Sequence, residues 1–345
     1  MKTEVQLNHF LKPKRYQLLL VGLLLMIANT SCKEKTKDSS IMQTTSEQQS
    51  PTARLELEFQ ASLGEGALWN AKNEELYWID IEGKKFHRYQ PITGENKTID
   101  LPSRPGTVVA STDEEALVAL EDGIYKVSLS SGVSALFSDV EQEVTTNRFN
   151  DGKCDPNGNL WVGSMHLEQS RPEGKLYKIT PEGNVQVMLD SVTISNGIVW
   201  NKNATTMFYI DTPTAKIRAF DYDVDTSTIS NERTLVEVPE TLGFPDGMAI
   251  DANDNLWVGL WNGNAVANYD SKTGKLIRTI QVPAHNVTSC AFGGKDLATL
   301  YITTARVDMT DEELNRFPLA GSLFSVEPGV KGVPASVFKT NLSGQ

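Results

Sequence analysis

The fold of this chain is decided by the stretch Gly243-Phe-Pro-Asp-Gly-Met-Ala-Ile-Asp-Ala-Asn-Asp-Asn-Leu-Trp-Val-Gly259. It contains an acid–glycine pair (Asp246-Gly247), a short apolar strand, a polar turn and a second strand that begins at Leu256. The same order of elements recurs at residues 150–163 and 64–79, and more loosely at 195–210. Self-similarity at a regular period is typical of a repeat protein.

The strand after each turn can be marked by one apolar residue. The markers are separated by 41, 43, 47, 49 and 44 residues, and they are Leu76, Leu117, Leu160, Met207, Leu256 and Leu300. Six repeats of this length, with about four short strands each, are typical of a β-propeller. The sequence therefore predicts an all-β fold, a six-bladed β-propeller, over residues 53–345. The one helical pattern is a capping-box-like start at Thr310, which predicts a single turn in a loop.

The first 32 residues resemble an export signal. A basic region at residues 12–15 precedes an apolar run at 18–28 that is too short to span a bilayer. Small residues then precede Cys32, as in a bacterial lipobox. We expect a signal peptide over 1–32 with lipidation at Cys32, and a flexible tether over 33–52. The protein would then be exported as a membrane-anchored lipoprotein, on the periplasmic side or in the cell envelope. Plain secretion or a different membrane anchor is the alternative.

The composition is that of a globular protein, with 39% hydrophobic and 22% charged residues. The formal net charge of −12 argues against nucleic acid as a partner, because such binding depends on basic patches. No protein partner is implied, and membrane contact is expected only through the anchor. Cys154 and Cys290 lie in strand-like runs, so buried free thiols and a disulfide both stay open.

A polar residue followed by glycine recurs in one phase of the repeat. The pairs are Glu65-Gly66, Asp151-Gly152, Asn196-Gly197 and Asp246-Gly247, and Pro105-Gly106 and Ser289-Cys290 take their place in the other two blades. We expect each pair just before the innermost strand of its blade, at one end of the central channel. Pure turn structure is the alternative. Such an oxygen set suits one divalent cation, Ca²⁺, Mg²⁺ or Mn²⁺, with Zn²⁺ on the same oxygens left open.

One further acidic run is interpreted as structure. Residues 221–225, with Glu232 at the twelfth place, resemble an EF-hand loop, but Thr226 stands where that loop needs glycine. The run therefore predicts a hairpin between outer strands.

Taken together, these phrases resemble the SMP-30/gluconolactonase/LRE family, which includes regucalcin and bacterial gluconolactonases. The motifs span residues 57–306, and they include Leu63-Gly-Glu-Gly66, Asn147-Arg-Phe-Asn-Asp-Gly-Lys153, Ser195-Asn-Gly197, Pro245-Asp-Gly-Met248 and Thr288-Ser-Cys-Ala-Phe-Gly-Gly294. The resemblance implies a six-bladed propeller, in agreement with the repeat count. It also implies one divalent metal held by Glu65, Asn196 and Asp246.

The resemblance places substrate contacts on Arg148 and Asn150, with Asp151 close to the reacting water. A further family glutamate falls on Glu168, in a loop of variable length. The sequence thus predicts metal-dependent hydrolysis of a sugar lactone such as gluconolactone to the aldonic acid, with Asp246 or Asp151 as general base. The alternatives are another metal-dependent ester or phosphotriester hydrolase, and a non-catalytic sugar- or calcium-binding propeller.

Overall fold

Six antiparallel sheets of four strands each form the part of the chain that the computed structural model describes, residues 51–340. The first strand in the chain is β1 (Arg54–Leu57). Blade 1 contains β2 (Gly64–Asn70), β3 (Glu75–Asp80), β4 (Lys85–Gln90) and β5 (Glu95–Asp100). Blade 2 contains β6 (Thr107–Ala110), β7 (Glu115–Leu120), β8 (Gly123–Ser128) and β9 (Ser134–Ser138). Blade 3 contains β10 (Asn147–Cys154), β11 (Leu160–His166), β12 (Gly174–Ile179) and β13 (Val185–Val192).

The second half of the ring repeats this plan. Blade 4 contains β14 (Ser195–Trp200), β15 (Thr206–Asp211), β16 (Lys216–Asp223) and β17 (Thr228–Glu237). Blade 5 contains β18 (Phe244–Ile250), β19 (Leu256–Trp261), β20 (Ala265–Tyr269) and β21 (Leu276–Gln281). Blade 6 contains β22 (Asn286–Gly293), β23 (Thr299–Ala305) and β24 (Leu323–Val326), and its outer strand is β1.

The ring closes through strands from opposite ends of the chain. β1 pairs antiparallel with β24, with Arg54 opposite Ser325 and Leu55 opposite Phe324. The first strand of every blade, from β2 to β22, contacts the first strands of both neighbouring blades, so these six strands surround a central channel. The prediction of an all-β, six-bladed propeller is confirmed.

The second strands of the blades carry the interior. All six marker residues lie there, in β3, β7, β11, β15, β19 and β23, and all are buried. Each second strand is covered by the blades on both sides, which is why its sequence is almost continuously apolar. The largest fully buried side chains are Trp78, Trp161 and Trp257, each from one such strand.

A buried aspartate explains why the turn before the second strand recurs. Asp251 Oδ1 accepts hydrogen bonds from the backbone N–H groups of Asn253 and Asn255, both at 2.9 Å, and its Oδ2 accepts from Trp257 Nε1 at 3.0 Å. Asp155 makes the equivalent contacts in blade 3 and also accepts from Tyr222 of blade 4. One carboxylate thus closes the turn and fixes the tryptophan between the blades.

Two segments outside the blades cover the two faces of the propeller. Residues 306–322 contain α1 (Asp311–Arg316), whose Thr310 cap forms a full capping box, as predicted. Residues 327–339 run over the other face, where Gly332 N donates to Leu297 O and Phe338 N donates to Ala110 O. This C-terminal segment therefore crosses from blade 6 to blade 2, beneath the turns that follow the first strands.

Several further predictions from the sequence can be compared with this structure. The run 221–225 ends β16 and begins the turn to β17, so the predicted hairpin is confirmed. Cys154 and Cys290 are both buried free thiols. Pro51 and Thr52, at the end of the predicted tether, pair with Gln281. The rest of that tether, Cys32 and the signal sequence lie outside the described residues. Within 51–340, no helix is long and apolar enough to cross a membrane.

Candidate active site

The polar–glycine pairs lie at irregularities in the first strands. The ladder between first and second strands shifts between Glu65 and Leu68, Phe149 and Gly152, Asn196 and Ile198, Pro245 and Met248, and Val287 and Cys290. The pairs therefore lie inside the first strands, where a β-bulge turns their side chains, and not just before these strands as predicted. β6, which carries no polar residue in this phase, pairs with β7 without a shift.

The glycine of each pair has two local tasks. Its N–H holds the acid before it: Gly66 N donates to Glu65 Oε2 at 3.0 Å, and Gly152 N donates to Asp151 Oδ1 at 2.8 Å. Its missing side chain also lets adjacent blades approach. A Cβ on Gly197 would lie 2.7 Å from the backbone oxygen of Asp246 in the next blade. Glycine is therefore required for packing between blades at Gly197, whereas at Gly66 and Gly152 the backbone N–H orients the preceding acid.

Three carboxylates from three blades are buried close together. Glu65, Asp151 and Asp246 are 7%, 5% and 4% exposed. Burial raises the pKa of all three, and the charges of Glu65 and Asp151 raise that of Asp246 further, to well above its ordinary value. Like charges at this depth cannot all stay ionised without a counter-charge. The cluster is therefore poised either to share protons or to hold a cation.

A chain of hydrogen bonds connects the other predicted residues to this cluster. Arg148 Nη1 donates to Asn150 Oδ1 at 2.7 Å, and Asn150 Nδ2 donates to Asn196 Oδ1 at 3.1 Å. Asn196 Nδ2 in turn donates to Thr212 Oγ1 at 2.7 Å, and that hydroxyl donates to the carbonyl of Pro245, next to Asp246. Six of the predicted site positions therefore lie in one group over blades 1, 3, 4 and 5, and they are Glu65, Arg148, Asn150, Asp151, Asn196 and Asp246.

Arg148 is the buried cation of this group. It is 5% exposed, and burial, followed by the nearby Arg104, lowers its pKa to about 10. It therefore stays charged at neutral pH. Gly106 explains the proximity of the two arginines, because a Cβ there would lie 2.4 Å from the backbone carbon of Phe149. At the rim, Arg104 bonds Glu121 through Nε at 2.8 Å.

The residues present fit a divalent cation. Asp151 Oδ2, Asp246 Oδ1 and Ser289 Oγ are buried without a hydrogen-bond partner among the described residues. Unpartnered buried oxygens are costly, and hard cations take oxygen ligands. Among residues 51–340, no group of three or more His, Cys, Asp or Glu side chains stands at metal-binding spacing. The predicted ligand set does not require one, because its third member, Asn196, is an amide.

Glu168 differs from the other predicted positions. It lies in the loop after β11, its side chain is more than half exposed, and its Oε2 is 3.0 Å from Arg171 Nε. Its backbone N–H donates to His166 Nδ1 at 3.0 Å. The structure places it outside the buried hydrogen-bond chain, and its predicted substrate role stays a prediction.

Three residues of the site were not assigned from the sequence. Ser289 takes the polar position of blade 6, a signal that was visible in the repeat phase. Thr212 follows the buried strand β15 and bridges Asn196 to Pro245, for which the sequence offers no local signal. Lys153 ends the Asn-Asp-Gly-Lys motif and reaches the backbone carbonyl of Met248 in β18.

Fold and site together define a six-bladed propeller with an acid-lined channel. Comparisons with known proteins identify the family within this class. The model of the SMP-30/Gluconolactonase/LRE-like region matches residues 63–306, so the chain belongs to this family. It is 38% identical over 275 residues to a Bacillus subtilis (strain 168) protein provisionally named sugar lactone lactonase YvrE, covering 80% of this chain and 94% of that one. It is 35% identical over 283 residues to regucalcin of Gallus gallus, with 80% and 94% covered.

A solved structure agrees with this assignment. Regucalcin from Agrobacterium tumefaciens, described as a calcium-binding protein, superposes with a TM-score of 0.80 at 26% identity. The match covers 83% of this chain and 97% of that one. The predicted family is thereby confirmed.

Proposed function

We propose that this protein hydrolyses a sugar lactone of the gluconolactone type to the aldonic acid, and that hydrolysis requires a divalent cation in the channel. Membership of the family, with relatives named as lactonases, makes the chain a lactone-hydrolysing enzyme. The observation that carries the finer proposal is the buried ring of Glu65, Asp151 and Asp246, in which Asp151 Oδ2 and Asp246 Oδ1 lack hydrogen-bond partners. Carboxylates are buried in this way when a cation compensates them.

Glu65, Asn196 and Asp246 would hold the cation. When bound, it would supply Lewis acidity at the lactone carbonyl and offset two of the three carboxylate charges. Glu65 and Asp246 come from blades 1 and 5 and Asn196 from blade 4, so the ligands are fixed by rigid strands rather than loops. This rigidity suits a site that must keep its geometry through each turnover.

Asp151 is the better-placed general base in this arrangement. Its Oδ1 is held by Gly152 N–H, whereas its Oδ2 has no partner and can accept a proton from the attacking water. Burial raises its pKa above the ordinary value of an aspartate, which strengthens it as a base. Water would then add to the carbonyl carbon, the ring C–O bond would break, and the ring oxygen would take up the proton as it becomes the hydroxyl of the open acid.

Arg148 and Asn150 would orient the lactone at the mouth of the channel. Arg148 is already fixed by its bonds to Phe149 O and Asn150 Oδ1, so little side-chain freedom is lost when a substrate oxygen binds. Pre-fixed donors of this kind contribute through orientation.

The direct test is the hydrolysis of glucono-δ-lactone, followed by acid release in a pH-stat. The protein is first treated with chelator, and Ca²⁺, Mg²⁺, Mn²⁺ or Zn²⁺ is then added back singly. Activity that disappears and returns supports the proposal, and Glu65→Gln, Asn196→Ala and Asp246→Ala should each abolish it in a folded protein. Tight cation binding without hydrolysis would instead favour a binding propeller, and hydrolysis confined to aryl esters or phosphotriesters would favour the other enzyme class.

We also propose export and lipid anchoring through Cys32. The support is the order of basic region, short apolar run and small residues before this cysteine. When bacteria are grown with labelled palmitate, the label should appear on the full-length protein and should be absent from its Cys32→Ser variant. Equal labelling of both would remove the proposal.

A further inference from the structure

Lys153 is a basic side chain inside the channel that the proposed reaction leaves without a role. It lies in β10, two residues after Asp151, and its Nζ donates a hydrogen bond of 2.5 Å to the backbone carbonyl of Met248. β10 belongs to blade 3 and β18, which contains Met248, belongs to blade 5. The side chain therefore reaches past the first strand of blade 4 and crosses part of the channel.

The charge of the ammonium group acts on two of the buried acids, Asp151 and Glu65. Burial raises the pKa of Asp151, and the Lys153 charge is the strongest influence that opposes this rise. Burial likewise raises the pKa of Glu65 and of the Cys290 thiol, and in both cases the Lys153 charge acts in the opposite direction. Residues of blades 1, 3 and 6 thus all lie within the field of one ammonium group.

On its other side Lys153 borders an apolar space. A cavity of about 80 Å³ is lined by Lys153, Leu68, Val199 and Ile250, and by residues 333–335 of the C-terminal segment. This lining contains no carboxylate, so the counter-charges of Lys153 lie on the side of the acid cluster. The lysine marks the boundary between the polar and apolar parts of the channel.

We propose that Lys153 is a built-in cation of the metal site, which matches the three-carboxylate ring to a divalent ion. The inference rests on the metal site proposed above and follows from a count of charges. Glu65, Asp151 and Asp246 carry three negative charges when ionised, and one divalent ion together with one ammonium group neutralises them. Without Lys153 the same ring would match a trivalent ion.

Arg148 also lowers the pKa of Glu65, but its charge is shared with the acids of the rim. At the rim, Arg104 and Arg148 are offset by Glu121, which bonds Arg104, and by Glu82, whose Oε1 is 3.4 Å from Arg104 Nη1. Both glutamates also act on Arg148. The mouth is therefore balanced by its own acids. Lys153 remains as the counter-charge of the inner cluster, a charge-balancing residue that need not touch substrate.

The test compares two ions of different charge. Wild type, Lys153→Met and Lys153→Arg are titrated by calorimetry with Ca²⁺ alone and with Tb³⁺ alone, at one pH and ionic strength. We expect the ratio of the Ca²⁺ Kd to the Tb³⁺ Kd to rise about tenfold or more in Lys153→Met, the effect of one unit charge within about 10 Å at an effective dielectric constant of about 20. The ratio should change less than about twofold in Lys153→Arg, which keeps the charge.

The ratio separates charge from structural damage. The lost hydrogen bond to Met248 weakens the binding of both ions alike, so it cancels. Lys178→Met is the matched control, since Lys178 also donates to buried backbone, to Ser227 O at 2.8 Å, but lies in β12 away from the first strands. Its ratio should equal that of wild type. Lys153→Gln, which can still donate to the Met248 carbonyl, provides the same comparison if the methionine variant does not fold.

Two failures can be told apart. If wild type binds both ions and the ratio in Lys153→Met or Lys153→Gln is unchanged, the role of Lys153 is refuted while the metal site stands. If wild type binds neither ion, the metal site itself is refuted and this inference falls with it.

Discussion

Asp246→Asn should make the cation-free protein more stable while abolishing its activity. The substitution removes one of three buried carboxylates and keeps the size of the side chain. Burial, and then the charges of Glu65 and Asp151, raise the pKa of Asp246, so its ionised form opposes folding when no cation is bound. The asparagine removes this repulsion together with a predicted ligand.

The magnitude follows from Glu65, whose pKa is raised from 4.5 to about 8 by burial and then by Asp151. Such a rise corresponds to about 5 kcal/mol that ionisation removes from the free energy of unfolding. Because the three acids share this penalty, removing one should raise the free energy of unfolding by about 1–3 kcal/mol at pH 8. For an acid with a raised folded-state pKa, stability is full below about pH 4.5 and is lost as the pH rises to about 8. The gain should therefore be small at pH 5 and largest at pH 8.

The assay is urea unfolding followed by tryptophan fluorescence, at pH 5 and pH 8, with chelator and with Ca²⁺. Asp251→Asn is the matched control, because Asp251 is equally buried but both its oxygens accept hydrogen bonds from turn N–H groups and Trp257. An asparagine at position 251 would place its NH₂ group against another hydrogen-bond donor. This should lower the free energy of unfolding by about 1–3 kcal/mol. The same chemical change should thus have opposite signs at the two positions.

Two results would refute the reasoning. One is an Asp246→Asn protein that is destabilised at pH 8 in chelator as much as Asp251→Asn is. The other is Ca²⁺ stabilising Asp246→Asn as strongly as it stabilises wild type, which would place the cation elsewhere.

Three further predictions follow from the packing around the channel. Arg148→Lys should lower kcat/KM for gluconolactone about 10–100-fold, because lysine lacks the fixed planar donors, and steady-state kinetics would show no change if Arg148 were only structural. Gly197→Ala should destabilise the fold by about 1–3 kcal/mol and weaken cation binding, since its Cβ would meet Asp246 O at 2.7 Å; wild-type unfolding and calorimetric curves would contradict this. Phe338→Ala should cost about 3–5 kcal/mol in urea unfolding, because this fully buried ring anchors the C-terminal segment, and a loss below about 1 kcal/mol would show that segment to be dispensable.

The repeat and its polar–glycine pairs could be predicted because each depends on residues that are close together in the sequence. The apolar markers from Leu76 to Leu300 identify the second strands, since a strand covered on both faces must be apolar throughout. The glycines are visible for a similar reason: a Cβ at Gly197 or Gly247 would collide with the first strand of the next blade, and one at Gly152 with the second strand of its own blade. The phase alone therefore predicts Glu65, Asp151, Asn196 and Asp246 at the channel, whereas the choice of three of them as metal ligands comes from the family resemblance.

The position of these pairs within the strands was not predictable in the same way. A bulge depends on how two strands register, and the register between Pro245 and Met248 is decided by the partner strand β19. Glu168 illustrates the opposite limit, because a loop of variable length carries no periodic signal that fixes where its side chain points.

By itself, the sequence determined the number of blades, the strands within them and the residue types that face the channel, because each of these depends on neighbours within about one repeat. Tertiary structure alone decided which distant groups meet. β1 completes the sixth blade although some 270 residues separate Arg54 from Ser325. Lys153 reaches Met248, 95 residues further along the chain, only because the ring curves back on itself. Such contacts are set by the closure of the ring, which no short window of sequence records.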